Sequence, residues 1–244
     1  MKRGDRGVIE VRSLERRFGP RRALADVELT VAAGEVHGLI GPTGAGKTTL
    51  LRLLAGRLPP TAGSATVLGL PAASPQLRGR VGLVSADGAP SERISGLEDL
   101  VFAGRLHGMA AGPAGDRARA VLQQVGLARA GDGPIGAWTP GMRLRLAFAR
   151  ALLTCPDVLL IDEPPAGVDP ATCAAVRALV SSHARSGTAV VWATRRLDEL
   201  RGLASVLTLL AGGRVRYAGS VEALAMRALA VSAQDVADRL RRAA

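Results

Sequence analysis

Glu35-Val36-His37-Gly38-Leu39-Ile40-Gly41-Pro42-Thr43-Gly44-Ala45-Gly46-Lys47-Thr48-Thr49-Leu50-Leu51 is the stretch that decides the fold. Residues 35–40 read as a strand that runs straight into a glycine-rich loop. From Lys47 the spacing of Leu50, Leu51 and Leu54 is helical, which predicts a helix over 47–55. Glycines 41, 44 and 46 let the backbone turn tightly and aim its N–H groups inward, as an anion requires. The helix that follows adds the positive end of its dipole. Strand, then Gly41-x-x-x-x-Gly46-Lys47-Thr48, then helix is therefore a phosphate cradle in the right setting.

Lys47 supplies a point charge for outer phosphates, and Thr48 a hydroxyl for Mg²⁺. Of the 32 basic residues only Lys2 and Lys47 are lysines, so position 47 escapes the bias toward arginine. A partner motif lies 115 residues on (162 − 47), where the apolar run Val158-Leu159-Leu160-Ile161 delivers Asp162 and Glu163 to a strand end. Such a run suits a strand buried on both faces. Two adjacent acids there are costly unless a cation compensates them. Asp162 suits an outer-sphere Mg²⁺ contact, and Glu163 a general base that polarises water.

Around this centre the chain alternates between strands and helices. Short strands are expected at 8–12, 25–31, 65–68 and 80–84, and a mostly helical region at 96–151. Helix 171–185, strand 189–193, helix 196–202 and strands 206–210 and 215–218 follow, with an amphipathic helix at 232–242. The pattern implies an α/β fold with a mostly parallel sheet flanked by helices. At 244 residues the chain can bury a full core.

Composition narrows the function. Cys155 and Cys173 are too few for a disulfide framework or a zinc site. No stretch approaches the roughly 20 apolar residues of a membrane helix, and the N-terminus lacks a secretory segment, so a cytoplasmic setting is expected. The net charge of +11 is spread out, with aromatics at only 2% and no dense basic run. No specific nucleic-acid partner is expected from that pattern. His37, His107 and His183 read as packing or surface residues, and Trp138 and Trp192 as packing residues.

These motifs resemble the ATP-binding cassettes of ABC transporters over nearly the whole chain, from about residue 8 to 224. The resemblance rests on the lead-in 34–41, on Asp157 to Pro170, on Arg143 to Leu152, and on Gly213 to Gly219. It implies a P-loop NTPase core with an N-terminal antiparallel β subdomain, a helical subdomain at about 86–154 and a short extension at 225–244. It also implies ATP and Mg²⁺ as ligands. Phe18 would stack on adenine, while Gly41, Pro42, Thr43, Gly44, Ala45, Gly46, Lys47, Thr48 and Thr49 hold the phosphates. Two cassettes, in a homodimer or a heterodimer, would sandwich two ATP molecules and move membrane-spanning permease subunits from the inner face of the membrane. Leu97 to Leu100 and Gly104 to Gly108 look most like exporters of drugs, lipids, polysaccharide or haem, with the docking surface at 96–108.

Three loops depart from the family. The signature Leu-Ser-Gly-Gly-Gln is replaced by Trp138-Thr139-Pro140-Gly141-Met142, which leaves Thr139, Gly141 and Met142 as the binding loop. Pro140 removes one backbone N–H. The Q-loop glutamine falls at Ala86, and the switch histidine at Arg195. Arginine donates to phosphate but neither accepts nor shuttles a proton at neutral pH. The expectation is an ATPase with reduced or conditional turnover. Two alternatives stay open: a hydrolysis-deficient partner of a competent cassette, and a soluble non-transport ABC protein.

Overall fold

The computed structural model describes residues 7–85, 90–163 and 168–226. The expected helix at 232–242, and position Ala86, lie outside them.

Two sheets organise the chain. The first is antiparallel, in the order β2-β1-β4-β5, from β1 (Ile9–Phe18), β2 (Arg21–Val31), β4 (Ala62–Val67) and β5 (Leu70–Pro71). The second has the order β10-β9-β3-β8-β7-β6, from β3 (Val36–Ile40), β6 (Val81–Val84), β7 (Val158–Asp162), β8 (Ala189–Thr194), β9 (Val206–Ala211) and β10 (Arg214–Ser220). All its pairings are parallel except β9 with β10. The helices used below are α1 (Lys47–Leu54), α2 (Gly96–Leu106), α3 (Ala111–Gln124), α4 (Pro140–Leu152) and α5 (Pro170–Arg185).

The period-2 rule for strands explains how the core divides. Leu159 and Ile161 of β7, with Val190 and Trp192 of β8, face one core that includes Leu144, Phe148 and Leu152 of α4. Val158 and Leu160, with Ala189, Val191 and Ala193, face a second core that contains α1 and the antiparallel sheet. Both faces of the central strands are covered, which is why they read as uninterrupted apolar runs.

The structure corrects three expectations. β1 runs to Phe18 rather than stopping at residue 12, because its register shifts between Val11 and Leu14 and breaks the simple alternation. Ser13 takes φ 43° at that irregularity. β2 likewise begins at Arg21, paired with Phe18 across a tight turn. The helix expected at 196–202 is only a 3₁₀ turn, Leu197–Glu199. There the Thr194 hydroxyl accepts the Arg196 N–H at 3.0 Å and donates to Glu199 Oε2 at 2.7 Å. These local bonds compete with helix propagation. His37 is buried, with Nδ1 2.8 Å from Glu35 and Nε2 3.0 Å from Thr208, so it ties β3 to β9.

Candidate functional site

Parallel pairing places the ends of β3, β7 and β8 side by side, and the site is built on those ends. Asp162 pairs with Ala193, and Ile40 with Thr194. The Gly41 N–H donates to the Thr194 carbonyl at 3.3 Å, and the Glu163 N–H to the Ala193 carbonyl at 3.0 Å. Beyond these bonds lies a cleft of about 470 Å³, lined by Thr43 to Thr49, Asp162, Glu163, Arg21, Ala23, Arg52 and Ser85.

Glycine is required at two points of the loop. A Cβ on Gly41 would lie 2.3 Å from the Leu210 carbonyl oxygen, and one on Gly46 would lie 2.7 Å from that of Ala23. Gly46 also has φ 107°, which lets the chain enter α1 with its first N–H groups directed at the loop.

Lys47 is buried, and its Nζ donates to the carbonyls of Gly41 at 2.7 Å and Pro42 at 3.0 Å. The same ammonium lies 2.8 Å from Glu163 Oε1. The Thr48 hydroxyl donates to Asp162 Oδ1 at 3.1 Å. Burial pushes the Asp162 carboxyl above its ordinary range and Glu163 adds to this, whereas Thr48, Lys47 and Arg52 oppose it. Glu163 sits at φ 40°, unusual for a residue with a side chain, and its Oε2 lies 3.0 Å from Arg195 Nε.

Several residues singled out from the sequence lie elsewhere. Phe18 is absent from the cleft lining; it is 44% exposed, and the Arg16 guanidinium stands 4.6 Å from its ring centroid. One aromatic face is thus occupied by a cation–π contact. Thr139, Gly141 and Met142 are also outside the cleft. Thr139 caps α4, accepting the Met142 N–H at 3.3 Å. A Cβ on Gly141 would meet Thr172 Oγ1 at 3.0 Å, which places this loop against the start of α5. Pro140 is the first residue of α4, so two of the loop's N–H groups are unavailable, one missing and one capped. Sequence reasoning missed Arg21, Arg52 and Ser85 as lining residues, and it missed the ion pair between Arg195 and Glu163. Only the fold brings those groups together.

The sequence profile of the family described as ABC transporter matches residues 24–166, which include both the glycine-rich loop and Asp162-Glu163. The chain belongs to the ABC transporter family. Among curated relatives, the daunorubicin resistance ATP-binding protein DrrA3 of Streptomyces coeruleorubidus is 39% identical over 219 residues, 89% of this chain and 69% of that protein. The Nod factor export ATP-binding protein I of Cupriavidus pinatubonensis is 35% identical over 209 residues, 85% of this chain and 64% of that protein. The chain therefore spans about two thirds of the length of these relatives. In fold it is similar to CbiO1 of Clostridium perfringens, with a TM-score of 0.81, 24% identity and coverage of 98% and 97% of the two chains. As an ABC ATP-binding subunit it carries an α/β P-loop NTPase fold. No helix among the described residues is long and apolar enough to cross a membrane.

The donor set fits Mg²⁺ in one way. Thr48 offers one hard oxygen ligand and Asp162 an outer-sphere acceptor, and no cluster of three or more His, Cys, Asp or Glu among the described residues could hold an ion alone. Phosphate oxygens and water would have to complete its shell, as is usual for this cation. Asp162→Asn tests this pairing. The raised carboxyl of Asp162 costs stability as pH climbs above the ordinary carboxylate range, since the unfolded chain then binds fewer protons than the folded one. The variant is expected to melt at or above the parent's temperature at neutral pH without nucleotide. Its ATP affinity should gain less than about twofold from Mg²⁺, against roughly tenfold or more for the parent. Thermal unfolding checks the first expectation, and calorimetric titration with and without Mg²⁺ the second.

Proposed function

We propose that this chain energises an exporter, binding MgATP tightly and hydrolysing it slowly. The observation that carries this reading is the convergence of Lys47, Thr48, Asp162 and Glu163 on one cleft at the ends of β3 and β7. In it the loop N–H groups and Lys47 bind phosphate, Thr48 and Asp162 hold Mg²⁺, and Glu163 orients the attacking water. Bound Mg²⁺ would neutralise charge on the phosphates. Slow turnover is supported by Arg195, which carries no proton-accepting group, by the N–H that Pro140 lacks and by the Met142 N–H, which donates to Thr139.

Thr139, Gly141 and Met142 lie away from their own chain's cleft, so they serve the nucleotide of an opposing cassette. Exposed Phe102 (61%) and Leu106 (68%) on α2 suit docking on separate permease subunits, and this supports a reading in which the chain works at the inner face of the membrane. The relatives named for daunorubicin resistance and for Nod factor export support the exporter direction.

Steady-state ATPase assays, alone and with the co-expressed permease subunits, test the reading. The isolated protein should turn over below about 0.1 per second, under the 1–1,000 per second common for enzymes. Brisk turnover by the isolated protein would overturn it.

A further inference from the structure

Glu163 is held at both oxygens by a different cation, Lys47 Nζ at 2.8 Å from Oε1 and Arg195 Nε at 3.0 Å from Oε2. Topology makes this arrangement stiff. Glu163 and Arg195 follow adjacent parallel strands, and each strand end is pinned by a backbone bond: Glu163 N–H to Ala193, and Gly41 N–H to Thr194. The turn after Arg195 is pinned as well, by Thr194 with Glu199 and by the Arg196–Asp198 pair at 2.6 Å. Arg195 therefore stands one residue beyond a carbonyl that bonds directly to the first residue of the cradle. Arg195 does not itself line the cleft but touches Glu163, which does, and its side chain is 56% exposed, so it has room to change partner.

A carboxylate and a terminal phosphate compete for guanidinium donors, and the phosphate offers more oxygens and more charge. We infer that Arg195 is an exchange latch that grips Glu163 until the γ-phosphate of ATP takes over the guanidinium, freeing Glu163 for its water. This inference rests on the reading of the cleft as an ATP site. It assigns Arg195 a positioning role, acting on the reaction through Glu163, and makes it the residue that tells ATP from ADP.

A double-mutant cycle on the full chain, reading equilibrium affinity for MgATP and MgADP, tests the latch. Arg195→Ala should weaken ATP binding about tenfold while ADP shifts by less than about twofold. Glu163→Gln should tighten ATP binding about fivefold when Arg195 is present, because the guanidinium is then free, and by under about twofold in the Arg195→Ala background. Arg195→Lys should restore part of the preference for ATP.

Two results overturn the latch while leaving ATP binding intact. One is equal or greater tightening by Glu163→Gln in the Arg195→Ala background, which would mean that Arg195 stays on Glu163 and merely screens it. The other is equal loss of ATP and ADP affinity in Arg195→Ala, the mark of a structural ion pair. Failure of the parent chain to bind ATP would instead overturn the underlying site reading, and the latch with it.

Discussion

Lys47→Ala is expected to weaken MgATP binding on the order of a hundredfold, since hydrogen bonds to charged groups each contribute about 1.5–3 kcal/mol. The buried ammonium is the meeting point of the Gly41 and Pro42 carbonyls and the Glu163 carboxylate. Alanine leaves the loop carbonyls without that donor and removes the charge that faces the phosphates. Folding should survive, because Glu163 keeps Arg195 and the loop keeps its backbone bonds. Lys47→Arg is the sharper variant. A planar guanidinium does not fit where a compact ammonium contacts two adjacent carbonyls, so arginine should recover less than about a tenth of the lost affinity. That outcome would explain why a chain so rich in arginine keeps lysine at this position. Titration calorimetry reads both effects.

The second large effect concerns stability. Trp138→Ala should cost about 3–5 kcal/mol, the range for truncating a large buried aromatic, and lower the melting temperature by about 10 °C. Trp138 is buried, and its ring lies so close to the start of α2 that a Cβ on Gly96 would come within 2.3 Å of it. Its carbonyl accepts Arg143 Nε at 3.3 Å, while Arg143 also reaches the Gly136 carbonyl at 3.2 Å and Glu92 at 3.1 Å. The Trp138 ring thus packs on the start of α2, while the Arg143 side chain ties α4 to the residues before Thr139, a link that alanine at 138 keeps. Thermal unfolding checks the cost. Affinity for ATP in the cleft of the folded protein should change little, because Trp138 is not among the residues that line it.

How much was legible in the sequence follows from what each feature depends on. The cradle depends on local backbone geometry, so Gly41, Gly46, Lys47 and Thr48 announced it at fixed spacing. The central strands were legible because burial on both faces leaves an uninterrupted apolar run, as in Val158 to Ile161. β1 was misjudged at its far end because an irregularity at Ser13 breaks the period. The turn at 197–199 was mistaken for a helix because its side-chain bonds through Thr194 compete with helical ones. Arg195 could be placed by its position before Asp198-Glu199, but its partner could not. That pair forms only because β7 and β8 are neighbours in the sheet, though β8 starts 27 positions after β7 ends (189 − 162). Arg21 and Arg52 reach the cleft from two different elements and follow no short motif.

We propose that this cleft retains ATP more readily than it cleaves it. The direct measurement is a single turnover: trace labelled ATP with Mg²⁺, mixed with excess protein and quenched at intervals. Most bound nucleotide should still be ATP after about three seconds, long compared with turnover at the median enzyme rate of about 10 per second. Complete conversion to ADP within the first second would contradict it.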